Sequence, residues 1–290
     1  MVKKAHLVTG KGGVGKSLIS GVLAHYLSLQ NQQIILTELT EQSFFKDFLN
    51  LPEINYKPSP WLPHISVCQW SPEDCLKEYA LHLIKIESLY KLFFENPLSK
   101  SLIQVAPGLY ELAILGKITS SPRHHGPKMI GDQLVIDSYS TGHFLSLLRA
   151  PHAMAEAIKF GPMGEQSRGI DKWLRNPDFT EVHLVTLAEE LPVTETIELA
   201  LQLQSEFGIQ SKIYLNKLLQ LTPADLEKIP PAASDIFYPV AEQEKLFAHQ
   251  LQKTGLPVFQ LPLVTSTEVL PIIRSLSTAL TQQKQHEIRA

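Results

Sequence analysis

Along this chain, short apolar runs alternate with stretches in which apolar residues recur every three to four positions. The runs are Ala5–Thr9, Ile34–Leu39, Ile65–Trp70, Leu134–Asp137, Val182–Leu187, Ile213–Lys217 and Val258–Leu261. Most lack the polar alternation of a half-exposed strand, so they predict parallel strands covered on both faces. After the first run, Leu18, Ile19, Val22, Leu23, Tyr26 and Leu27 keep helical spacing, and a closing amphipathic helix is expected over Thr267–Gln283. A shorter helical segment is expected around Trp173. Strands alternating with helices predict an α/β fold with a doubly wound, mostly parallel sheet. No internal repeat is present, and residues 1–290 read as a single domain.

A helix start signal at Ser71-Pro72-Glu73-Asp74 opens an inserted helical layer expected at about 72–118. Leu76, Tyr79, Ala80, Leu83, Ile86, Tyr90 and Phe93 share one face of it, and Leu81, Ile84, Leu89, Leu92 and Phe94 widen the stripe. The stretch Cys75–Glu95 therefore has more apolar side chains than one buried face requires, so the sheet or a protein partner should cover part of it. The proline- and aromatic-rich segment 51–63 reads as a surface connection, and Thr119–Lys128, with its adjacent His124 and His125, as a solvated loop.

Candidate chemistry sits directly after the first predicted strand. Gly10-Lys11-Gly12-Gly13-Val14-Gly15-Lys16-Ser17 fits the phosphate-loop pattern G-x-x-x-x-G-K-[ST], placed between a strand and a helix as that pattern requires. Gly10, Gly12, Gly13 and Gly15 let the backbone, through Val14, turn its N–H groups onto phosphate oxygens. Lys16 neutralises phosphate charge and the Ser17 hydroxyl ligates magnesium, so ATP and Mg2+ are the expected cofactors. Leu134-Val135-Ile136-Asp137 ends in an acid, where a carboxylate holding a magnesium-bound water is expected. Ser138 rather than a glutamate follows it, so the group that activates water must come from elsewhere.

An ordinary phosphate loop needs no lysine after its first glycine, yet Lys11 gives the deviant form K-G-G-x-G-K-[ST]. This form resembles the family of P-loop ATPases that includes MinD, ParA, the nitrogenase iron protein and ArsA. The resemblance implies that Lys11 reaches into a partner subunit's nucleotide. Further segments are similar to the ArsA-like and tail-anchored-protein-targeting branch: Pro107-Gly108 through Gly116-Lys117, the switch Thr141-Gly142-His143 with Leu148-Arg149, and Val185-Thr186 through Glu195-Thr196. In that branch the second strand ends in T-D-P-A with a catalytic aspartate seven residues beyond the first; here Thr40 and Asp47 fall on those positions. The resemblance thus implies Lys11, Lys16 and Asp47 as catalytic residues and Ser17 and Asp137 as metal ligands. It also adds Thr141, Gly142, Asn216 and Pro262 to the nucleotide site, with Asn216 facing adenine. Thr40 and Ser140 stand where the branch has aspartate and proline.

Composition narrows this picture. A chain of 290 residues with 44% hydrophobic and 19% charged content is that of a soluble globular protein, and a net charge of -3 offers no electrostatic case for nucleic acid. No apolar stretch is long enough for a signal peptide or a membrane span, and the final Gln282-Gln283-Lys284-Gln285 lacks the pairing of basic and bulky apolar residues that anchors a helix to a membrane surface. A cytoplasmic location follows as the expectation. Cys68 and Cys75 form no C-x-x-C or zinc pattern, which leaves metalloid binding without its soft ligands and argues against the iron-protein branch. One ATPase half with Lys11 implies a homodimer through the nucleotide face, acting on an unidentified client or anion. A MinD/ParA-type positioning ATPase and a non-hydrolysing ATP-binding scaffold stay open as alternatives.

Overall fold

Leu7 and Val8 are neighbours in sequence and both are fully buried, which requires a strand covered on its two faces. The computed structural model, which describes residues 1–84 and 108–289, builds a sheet of eight strands on this principle. They are β1 (Lys4–Gly10), β2 (Ile34–Leu39), β3 (Ser59–Leu62), β4 (Ile65–Trp70), β5 (Gln133–Asp137), β6 (Thr180–Leu187), β7 (Ser211–Leu218) and β8 (Val258–Pro262). Their order across the sheet is β3-β4-β2-β5-β1-β6-β7-β8. All neighbouring pairs are parallel except β3 with β4. The central strand β1 lies between β5 and β6, so the loop that leaves it emerges at the switch point where ligands bind in such sheets.

Alternate residues of each strand feed two cores. Ala5, Leu7, Leu134, Ile136, Val182 and Leu184 join one, with Leu112–Leu115 of α4 (Leu109–Ile118) and Phe144 and Leu147 of α6 (Thr141–Ala157). Val8, Val135 and Val185 join the other, with Ile19, Val22 and Leu23 of α1 (Lys16–Ser28) and Ile273, Leu276 and Leu280 of α11 (Val269–Arg289). The remaining α-helices among the described residues are α2 (Phe45–Phe48), α3 (Pro72–Ile84), α5 (Ser120–Arg123), α7 (Pro162–Leu174), α8 (Glu190–Gln202), which runs on into a π-helical turn at Leu203–Phe207, α9 (Pro223–Leu226) and α10 (Pro231–Gln252).

The observed strands 34–39 and 65–70 have the boundaries expected from sequence. Four expectations need correction. Segment 51–63 holds the short edge strand β3, whose Pro60 is tolerated because an edge strand leaves one row of N–H groups unpaired. Thr119–Lys128 begins with α5, held by Arg123, which donates to Thr119, Gly116 and Gln166. The closing helix runs six residues further, to Arg289, and α10, which the apolar pattern did not predict, spans 22 residues despite Pro239. Of the expected helical layer, α3 buries Cys75, Leu76, Tyr79 and Ala80 in the core it shares with α4; residues 85–107, with the rest of the expected Cys75–Glu95 surface, lie outside the described residues.

At the N-terminal ends of β1, β6 and β7, His6, Glu181 and His183 converge. His6 Nδ1 lies 3.0 Å from His183 Nε2, while Gln133 Oε1 and the Tyr214 hydroxyl meet the outer ring nitrogens at 2.9 and 3.0 Å. These three residues carry donors that could ligate a cation. However, Lys4 and Lys212 each lie 2.9 Å from the Glu181 carboxylate, so its charge is already balanced by two ammonium groups. The cluster is a closed polar network that ties three strands together.

Candidate nucleotide-binding site

The phosphate loop owes its shape to contacts that a side chain would prevent. Gly10 has φ +150°, and a Cβ there would run into the Val185 carbonyl oxygen on β6. Gly15, at φ +98°, is the N-cap of α1, and a Cβ would sit 2.5 Å from Asn216 Nδ2. Gly13 also has positive φ, at +85°. Gly12 and Gly13 are exposed, whereas Val14 is buried and pins the loop into the core of α1 and α11. The unsatisfied N–H groups at the start of α1 and its dipole make this an anion-binding end.

Ser17 and Asp137 are brought together across 120 residues: the Ser17 hydroxyl donates to Asp137 Oδ2 at 2.6 Å. Ser20 adds a long bond of 3.5 Å to Oδ1. Burial raises the Asp137 carboxyl to about 6, against the opposing pull of the Ser17 bond and the Lys16 charge, while nearby Glu38 pushes the same way as burial. Lys16 is likewise lowered by its own burial and partly restored by Asp137, and its ammonium reaches back to the Lys11 carbonyl at 3.2 Å. A hydroxyl and an incompletely neutralised carboxylate are hard oxygen donors, and they fit Mg2+.

Other expected site residues lie around the loop. Thr141 and Gly142 open α6 after its N-cap Ser140, presenting helix-start amides, and Thr9 braces the preceding turn by donating to the Tyr139 carbonyl at 2.7 Å. Asn216 is 2% exposed; its Nδ2 donates to the Val14 carbonyl at 3.0 Å, while its Oδ1 has no partner among the described residues. Pro262 ends β8 beside β7, in register with Leu218. Lys11 is held by Glu195 of α8, Nζ to Oε1 at 2.7 Å. Asp47 is exposed on α2, and its carboxylate makes no hydrogen bond or ion pair with the described residues.

One functional candidate, Glu195, escapes a reading of motifs, and a second, Glu38, stands out in the sequence only as an alternative to Asp47 at the end of the second strand. Glu195 sits in the E-T segment quoted above, but nothing linear pairs it with Lys11. Glu38 faces Asp137 in the β2–β5 register, while Thr40, to which the resemblance assigned the strand-end role, turns its hydroxyl to the Gln42 carbonyl at 2.8 Å. Beyond β2 a cavity of about 790 Å³ opens, lined by Glu41, Glu73, Glu111, Tyr110, Tyr139 and His143 among others. Cys68 and Cys75 are both buried, and burial pushes each thiol up to about 12.

The family model for anion-transporting ATPases matches residues 3–166 of this chain. ATPase BagA of Mycobacterium tuberculosis is 30% identical over 240 residues, covering 78% of this chain and 68% of that protein. The arsenical pump-driving ATPase of Acidiphilium multivorum is 27% identical over 205 residues, covering 68% of this chain but 32% of that protein. One from Escherichia coli is 26% identical over the same coverage.

Proposed function

This chain belongs to the anion-transporting ATPase family, and on that premise we propose that it is a magnesium-dependent ATP hydrolase working as a homodimer closed through its nucleotide face. The observation that carries the proposal is the Ser17–Asp137 pair beside Lys16. A half-buried carboxylate raised to about 6 is a poor choice for stability and a good one for receiving a cation.

In this reading the amides of Gly12, Gly13 and Gly15 bind phosphate oxygens, and Lys16 leaves the Lys11 carbonyl to meet the β/γ-phosphates. Ser17 and Asp137 would hold a magnesium ion, which would supply positive charge against the phosphates. The helix-start amides of Thr141 and Gly142 take the terminal phosphate, and Asn216 Oδ1 and Pro262 meet the adenine. Asp47 orients the attacking water once α2 closes, and Lys11 exchanges Glu195 for the partner subunit's nucleotide. A non-hydrolysing scaffold is the second reading, favoured by the exposed, unpartnered Asp47.

The client is not a metalloid held by cysteine. Two buried thiols raised to about 12 are neither ionised nor reachable. No helix among the described residues is long and apolar enough to cross a membrane. Titration with ATP and Mg2+ tests the core of the proposal. Lys16→Ala should abolish nucleotide binding that the wild-type chain shows, and equal affinity in the two proteins would remove the reading's foundation.

A further inference from the structure

Glu38 is 3% exposed at the penultimate position of β2. In the β2–β5 register it stands opposite Asp137, so a buried and a half-buried carboxylate rise from adjacent parallel strands at the phosphate-loop end of the sheet. No cation pairs with Glu38 among the described residues. Instead its carboxylate accepts from the amides of Phe44 and Phe45, at 3.0 and 3.1 Å, and from the Ser43 hydroxyl in a very short bond. Ser43 Oγ in turn accepts from the Lys46 amide at 3.1 Å. Every one of these donors belongs to the start of α2, the four-residue helix that bears Asp47.

A neutral Ser, Thr or Asn could hold such a helix start without burying charge. A buried acid beside a second, half-buried acid costs stability through desolvation and like-charge repulsion. The repulsion falls when a cation arrives at Asp137. Its charge offsets the repulsion, leaving the Glu38 carboxylate free to bind the α2 amides as a strong, charge-assisted acceptor.

We propose that Glu38 is a positioning residue that couples occupancy of the Ser17–Asp137 cation site to ordering of α2, and so to the placement of Asp47. This inference rests on the ATPase reading above. Its chemical content is that one side chain spans the gap between the metal carboxylate and the water-orienting helix.

Hydrogen exchange of the segment 43–49, measured with and without Mg2+ and a slowly hydrolysed ATP analogue, tests the coupling apart from turnover. In the wild-type chain Mg2+ with the analogue should slow exchange in this segment. In Glu38→Gln, analogue affinity should stay within about threefold and KM should change little, while kcat falls about 10- to 100-fold, the usual cost of a misplaced group. The magnesium-dependent protection should disappear with it. Asp47→Asn is the control: slower by roughly 10²- to 10⁴-fold, it should keep the protection. Ser43→Ala, a milder change in case Glu38→Gln does not fold, should weaken both protection and kcat. Protection retained in Glu38→Gln, or in Ser43→Ala where the former fails to fold, would overturn the inference. Failure of the wild-type chain to bind ATP would instead overturn the reading beneath it.

Discussion

Asp137 and Glu181 are half-buried acids at opposite ends of the same sheet, and their surroundings treat them in opposite ways. At the C-terminal end Asp137 meets two serine hydroxyls and one lysine that is itself turned to a carbonyl, and burial raises its carboxyl to about 6. At the N-terminal end burial also opposes ionisation of Glu181. There, however, the Lys212 ammonium 2.9 Å away and the polar imidazoles of His6 and His183 outweigh it, holding the carboxyl well below the usual range. Lys4 adds a second ammonium at 2.9 Å. Sites that bind leave charge uncompensated for the ligand, whereas structural networks compensate it within the fold.

Substituting one acid should trade stability against activity in one direction, and substituting the other in the reverse direction. Asp137→Asn is expected to lower ATP hydrolysis by about 10³-fold or more, since a metal clamp supplies several kcal/mol. It should also stabilise the ligand-free fold by up to about 2 kcal/mol. The sign follows from a folded-state value, about 6, that lies above that of the unfolded chain. Ionisation therefore costs stability above that pH, and the cost vanishes as the pH falls below about 4. Denaturant melts of both proteins at neutral and acid pH would show the difference closing on acidification. An asparagine variant that hydrolysed normally would place the cation elsewhere.

Glu181→Gln should do the opposite, costing roughly 2–4 kcal/mol at pH 7 while leaving ATP affinity and turnover unchanged. Here the folded value lies below the unfolded one, so the contribution is complete above about pH 5 and fades as the unfolded carboxyl protonates below it. The wild-type stability curve should slope downward through that window, and the variant's should slope less. Loss of hydrolysis without loss of stability would make the lower cluster part of the site.

The smallest effect on the fold is expected at the Lys11–Glu195 pair, each side chain 32% exposed. Lys11→Ala should change stability by less than about 1 kcal/mol and spare binding by the monomer. ATP-driven dimerisation and turnover should fall. Light scattering with a slowly hydrolysed analogue would show it, and a mutant that dimerised and hydrolysed normally would make Lys11 an ordinary surface residue.

Much of this molecule follows from local pattern. The phosphate loop, the helix after it, and the strands at 34–39 and 65–70 are legible because burial writes a mostly apolar run and positive φ writes glycine. The strand β3 is not legible, since four residues with a proline carry no periodic signal and are strand only through pairing with β4. Helix α10 shows its covered face only once β8 and α8 are in place against it.

Within the candidate site, the sequence by itself brought out the residues that lie together in the chain, Gly10 through Ser17, and Asp137 at the end of an apolar strand. The tertiary structure alone decided which distant side chains meet them. Asn216 under Val14, Glu195 on Lys11 and Glu38 opposite Asp137 are separated from their partners by roughly a hundred residues or more. Their meeting depends on strand order and register, and the register of a parallel sheet is set by the packing of both faces at once, a property that no single stretch of chain carries.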